Sequence, residues 1–156
     1  MDVLQSAPSN ANASHKHRLL VGEGNPTLRG FLLAVLRADG HRVVAAASGN
    51  DLLKTLAVSL HPEFGSEGFD LVISDGRLLG ATELPTFSRL RGWARIPPLV
   101  FITAFEDGEL DVKARQFGAV AVLNMPLDID KLREIVNSLL RHPTREHGSI
   151  PANIPG

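Results

Sequence analysis

Short apolar runs alternate along this chain with longer stretches in which apolar residues recur every three or four positions. The runs are Leu19 to Val21, Val43 to Ala46, Leu71 to Ile73, Leu99 to Ile102 and Ala119 to Leu123, each of a length that suits a buried strand. The stretches between them carry helix punctuation. Asn25 suits an N-cap, Pro26 the first helical position and Gly40 the stop, and between them Leu28, Phe31, Leu32, Val35 and Leu36 form one apolar stripe. Leu52, Leu53, Leu56, Ala57 and Leu60 predict a second helix, and Leu84, Phe87 and Leu90 a shorter third. Leu110, Ala114 and Phe117 predict a fourth that ends at Gly118, and Asp128 caps a fifth carrying Leu132, Ile135, Val136, Leu139 and Leu140. Five strands alternating with five helices predict an α/β domain, a doubly wound parallel sheet covered on both faces.

With 156 residues the chain has room for one domain with a sizeable core. Residues 1–16, polar and rich in Ser, Asn and Ala, read as a flexible leader, 17–141 as the domain, and 142–156 as a disordered tail. The segment 61–68 is rich in turn residues and reads as a loop insertion with no assigned role. The chain is 44% hydrophobic and 21% charged, with net charge −1, so nothing electrostatic points to nucleic acid or anionic lipid. It has no cysteine, which excludes disulfides, thiolate zinc sites and thiol nucleophiles. No secretory signal or membrane-spanning apolar run is visible, so the expected location is cytoplasmic.

In an open parallel α/β sheet, chemistry collects outside the carboxyl ends of the strands. Those ends are Gly22-Glu23-Gly24, Asp75, Thr103-Ala104 and Asn124-Met125-Pro126. Glu23 before Asn25-Pro26, Asp75 closing the third run, Thr103-Ala104 closing the fourth and Pro126 after the fifth, in this order and spacing, resemble the receiver domain of bacterial two-component response regulators. The resemblance covers nearly all of the folded part. It implies a flavodoxin-like sheet of strand order 2-1-3-4-5 and a phosphoryl group received from a partner histidine kinase. Asp75 maps onto the phosphoacceptor, whose carboxylate would attack phosphorus to form an acyl phosphate. Thr103 maps onto the hydroxyl that hydrogen-bonds the phosphoryl group, and Ala104 onto the small residue that leaves room for it. Glu23, Asp75 and the backbone carbonyl of Arg77 map onto the Mg²⁺ ligands.

Four departures from the family pattern bear on the chemistry. The second of two adjacent acids, a direct metal ligand, is replaced by Gly24, and Mg²⁺ is usually held by one or two carboxylates in near-octahedral geometry. Met125 stands where the family places a lysine beside the acceptor. Removing one such preorganised charge costs about 2.7 to 4 kcal/mol, roughly 10² to 10³ in rate. Val122 stands at the aromatic switch position, while Leu79 and Glu83 replace proline and glycine in the loop after Asp75, predicting a different path for that loop. Lys113 falls in the fourth helix and offers no evident substitute for the missing lysine.

The reading is a stand-alone atypical receiver, not an enzyme, with weak Mg²⁺ binding and impaired or absent phosphorylation at Asp75. It would work by docking a kinase or a downstream effector through the fourth helix, fifth strand and fifth helix, and homodimerisation through that surface stays open. The alternative is an ordinary phosphoacceptor at Asp75. A hydrolase using Asp75 lacks a general base placed near it by sequence. A flavodoxin-like cofactor protein would need a phosphate-cradling loop, and Glu23 repels phosphate there. His15, His17, His41, His61, His142 and His147 are scattered without metal-ligand spacing.

Overall fold

All five apolar runs form strands and all five periodic stretches form helices. The computed structural model describes residues 17–61, 63, 67–93, 95–104 and 108–141. The leader at 1–16, the tail at 142–156 and parts of the 61–68 loop lie outside the described residues. In chain order the elements are β1 (Arg18–Gly22), α1 (Pro26–Ala38), β2 (Arg42–Ala46), α2 (Gly49–Ser59), β3 (Leu71–Asp75), α3 (Leu84–Trp93), β4 (Leu99–Thr103), α4 (Gly108–Phe117), β5 (Ala119–Asn124) and α5 (Ile129–Arg141). The strands lie in the order β2-β1-β3-β4-β5, and every pairing is parallel. Among the described residues, no helix is long and apolar enough to cross a membrane.

Strand parity divides the core into two layers. Leu19 and Val21 of β1, Leu71 and Ile73 of β3 and Val100 and Ile102 of β4 pack with Leu32 and Leu36 of α1 and Leu132 and Val136 of α5. The alternate residues Leu20, Val72, Leu99 and Phe101 meet Leu52 and Leu56 of α2, Phe87 and Leu90 of α3, and Phe117 of α4. Phe117 stacks edge-on against Phe87 with ring centroids 4.9 Å apart. Both central strands β3 and β4 are buried at every residue, as a sheet covered on both sides requires.

The punctuation reads as expected at both ends of α1. The Asn25 side-chain oxygen accepts from the Thr27 and Leu28 N–H groups, and Gly40, with φ of +97°, takes the left-handed turn that follows the helix. Asp128 likewise caps α5 by accepting from Lys131 N–H at 3.2 Å. One expectation needs correction: Phe31 is not part of the buried stripe of α1 but is 46% exposed, while Leu33 packs against the core instead. Leu28, Leu32 and Leu36 recur every four residues and fix the buried line. Phe31 falls to its edge, facing the carboxyl end of the sheet.

Candidate functional site

The order β2-β1-β3 sends the chain to opposite sides of β1, so the carboxyl ends of β1 and β3 flank a crevice. Backbone pairing continues one residue past the strands and so fixes the start of each loop. Glu23 N–H donates to the Ala46 carbonyl at 3.0 Å, Gly76 N–H to Ile102 at 2.9 Å and Met125 N–H to Thr103 at 2.8 Å. The crevice opens into a cleft of about 530 Å³. Glu23, Asp75, Arg77, Ala104 and Met125 line it, with Leu28 and Phe31 of α1 forming an apolar side. Of the site residues expected from sequence, Thr103 and Gly24 are not among its lining residues. Thr103 is buried and shares the strand parity of Leu99 and Phe101, which belong to the opposite core layer.

Two carboxyl groups are buried here, Glu23 at 2% exposure and Asp75 at 6%. Burial raises the Glu23 pKa above the ordinary carboxylate value, and the neighbouring Asp75 charge adds to the rise, while the Asn25 N–H, 3.0 Å from a Glu23 oxygen, opposes it. Asp75 is met by Arg77 from the turn after β3. The Arg77 backbone N–H donates to Oδ1 at 3.0 Å, its Nε to Oδ1 at 3.4 Å and its Nη2 to Oδ2 at 3.2 Å. This bonding raises the Arg77 pKa further. A second guanidinium binds the backbone nearby: Arg29 Nη1 donates to the carbonyls of Glu23 at 2.8 Å and Gly24 at 3.4 Å. Met125 contributes no charge. Lys113 extends from α4 to the Gly76 carbonyl at 3.3 Å, one residue past Asp75, but does not line the cleft.

The loop after Asp75 is held by the two residues that set it apart. Leu79 is fully buried, and Glu83 Oε1 accepts from Gly80 N–H at 2.9 Å. The loop also lies directly on the start of α2, where a Cβ added to Gly49 would sit 2.1 Å from the Leu78 carbonyl oxygen. The side-chain role of Arg77 is not evident from its place in sequence. An acid followed two residues later by arginine in a turn is the signal that could have suggested it.

The positions that the family pattern assigns to metal ligands are partly engaged within the protein. Both Asp75 oxygens accept from Arg77, one Glu23 oxygen accepts from Asn25, and the carbonyls of Glu23 and Gly24 are engaged by Arg29. Among the described residues there is no group of three or more His, Cys, Asp or Glu side chains that could hold a metal ion.

The crevice at the β1–β3 switch, with a carboxylate at the end of β3, places this protein among signalling folds of the CheY type. Residues 19–137 match the response regulator receiver domain, and the chain belongs to that family. It is 34% identical over 119 residues to the transcriptional regulatory protein ZraR of Salmonella typhimurium, covering 76% of this chain and 25% of that protein. The chain thus spans about a quarter of that relative's length. It is 30% identical over 145 residues to the transcriptional regulatory protein PdtaR of Mycobacterium tuberculosis, covering 91% of this chain and 67% of the relative. Among solved structures, a CheY-like receiver domain protein from Methanospirillum hungatei superposes with a TM-score of 0.68 at 18% identity, covering 84% of this chain and 98% of that one. A response regulator receiver protein from Burkholderia phymatum does so with a TM-score of 0.64 at 26% identity, covering 81% and 96%. The chain is therefore a receiver domain of two-component signalling, a signalling module rather than a classical enzyme.

Proposed function

We propose that this receiver signals by docking, with Mg²⁺-dependent phosphorylation of Asp75 impaired or absent. The observation that carries this reading is the Arg77 fork on both oxygens of Asp75, in a cleft lined by Met125 and in a chain with glycine at position 24. Phosphoryl transfer depends almost wholly on positioning and on charges that meet the transferring group. Here both oxygens of the acceptor are met by a cation from its own turn, while the cleft residue that follows β5, Met125, is neutral. In this reading Asp75 and Thr103 keep the positions of phosphoacceptor and phosphoryl-bonding hydroxyl without their full chemistry, and Ala104 keeps the small-residue position. Glu23 and the Arg77 carbonyl keep the places of metal ligands. The partner would be a kinase or downstream effector that meets α4, β5 and α5.

The ordinary phosphoacceptor reading draws support from one feature: Asp75 opens onto a cleft of about 530 Å³, ample for a phosphoryl group. Intact mass after incubation with Mg²⁺ and a small-molecule phosphodonor separates the two. The docking reading expects no gain in mass in the wild type. A gain of one phosphoryl group, absent from Asp75→Asn, would overturn it and establish the phosphoacceptor.

A further inference from the structure

We propose that the Arg77 guanidinium is the resident counter-cation of the cleft: it neutralises Asp75 in place of a divalent metal ion and so keeps metal out. The inference rests on reading this cleft as the receiver's acid site, and it is independent of whether Asp75 accepts phosphate. Two buried carboxyl groups side by side favour a compensating charge, because leaving a buried charge uncompensated is costly. Among the described residues, Arg77 is the basic side chain paired with Asp75. Arg29 is committed to the carbonyls of Glu23 and Gly24, and Lys113 to the carbonyl of Gly76.

The geometry is specific to arginine. Nε and Nη2 approach different oxygens of one carboxylate, the two-pronged match that a planar guanidinium makes and an ammonium does not. Mg²⁺ would bind the same carboxylate and a guanidinium already beside it repels a second cation, so the two compete for Asp75. Arg77 also has a persistent advantage, since its own backbone N–H is anchored to Oδ1 and holds the residue in place. Its side chain is nevertheless 66% exposed, which leaves it removable without opening the core. The consequence is a receiver whose Asp75 carboxylate is charge-paired with no metal bound.

Mg²⁺ alone, titrated into the full chain without any phosphodonor, tests this by calorimetry and by thermal unfolding. The wild type is expected to give neither binding heat nor a rise in unfolding temperature at millimolar Mg²⁺. Arg77→Ala is expected to bind at least roughly tenfold more tightly and to gain a Mg²⁺-dependent rise in unfolding temperature, and the double variant Arg77→Ala/Asp75→Asn to lose both. Arg77→Lys, which keeps the charge but not the fork, should fall between. Should Arg77→Ala fail to fold, Arg77→Gln carries the same comparison. Wild-type binding as tight as in the arginine variants, or folded variants with no gain, would overturn the proposal. A phosphorylated wild type that binds no Mg²⁺ on its own would leave it standing while removing the docking reading.

Discussion

Gly24 and Gly49 are two glycines near one loop, and the residues around them set opposite tolerances. A Cβ at Gly24 would meet nothing closer than the Ala47 carbonyl oxygen at 3.6 Å and Leu78 Cδ2 at 3.7 Å, which are ordinary contacts. Gly24→Ala is therefore expected to change stability by no more than about 0.5 kcal/mol. At Gly49 the Leu78 carbonyl leaves no room, so Gly49→Ala must push the β3–α3 loop off the start of α2. A loss of about 1–3 kcal/mol is expected, as for other overpacked sites. Urea unfolding of the two variants beside the wild type checks both values. The tolerance at position 24 permits a reconstruction of the missing charges. Gly24→Asp with Met125→Lys and Arg77→Ala should show a Mg²⁺-dependent gain of one phosphoryl mass that the wild type lacks. A reconstructed chain that folds but gains nothing would mean that these three positions do not decide phosphorylation. The candidate site was legible in sequence at Glu23, Asp75, Ala104 and Met125, because each sits directly at the end of a strand. Arg77 was expected there for its backbone carbonyl alone, and its side-chain role and that of Arg29 were not legible, because both depend on where long side chains reach.

At the scale of elements, the strand and helix pattern carried nearly the whole fold, since buried strands and amphipathic helices differ so clearly in period. Leu71 to Ile73 and Leu99 to Ile102 are continuous apolar runs because both faces of β3 and β4 are covered. Where period alone misled, at Phe31, the error came from the width of the helix face: five apolar residues predict a broad stripe, but the helix meets the sheet along a narrower line. Caps were readable because they depend on local chemistry. Asn25 satisfies two otherwise orphaned N–H groups, so Asn25→Ala is expected to cost about 0.5–2 kcal/mol in urea unfolding. At the opposite end of the sheet, β1 and β2 begin at a pair of histidines, with the rings of His17 and His41 6.0 Å apart. Burial, and then the His17 charge, lower the His41 pKa from its ordinary value of 6.5, against the opposing pull of Asp39 and Asp70. A histidine whose folded pKa is depressed contributes stability that is present above pH 6.5 and lost as pH falls through the folded value. His41→Asn should accordingly flatten the fall in stability between pH 7 and pH 5, measured as urea midpoints. An unchanged slope would mean that other groups set it.

At the scale of the whole molecule, the edge strands β2 and β5 are covered less completely than the strands between them. β3 and β4 are buried at every residue, whereas β5 lies at the sheet's edge and alternates between buried or half-buried and exposed positions. Val120 at 42% and Val122 at 36% exposure share one face of that strand, and Val112 on the adjoining α4 is 51% exposed. Isolated exposed valines need no explanation. Three on neighbouring elements, on the surface through which the docking reading expects contact, do invite a test. A charge placed at Val122 lies outside the core and should leave the urea midpoint within about 0.5 kcal/mol of the wild type. If α4, β5 and α5 carry the docking, Val122→Asp should weaken association with whichever partner binds, at least roughly tenfold when the valine lies at the contact's centre. If the partner is a second copy of this chain, sedimentation velocity will show the wild type shifting toward dimer with concentration and Val122→Asp remaining monomeric. Binding or dimerisation that survives Val122→Asp and Val120→Asp unchanged would move the docking surface elsewhere. The remaining prominent exposed aromatic among the described residues is Phe31, which stands over the acid cleft. Contact there would bring a partner directly onto Asp75 and Arg77, so Phe31→Ala is the variant to compare next.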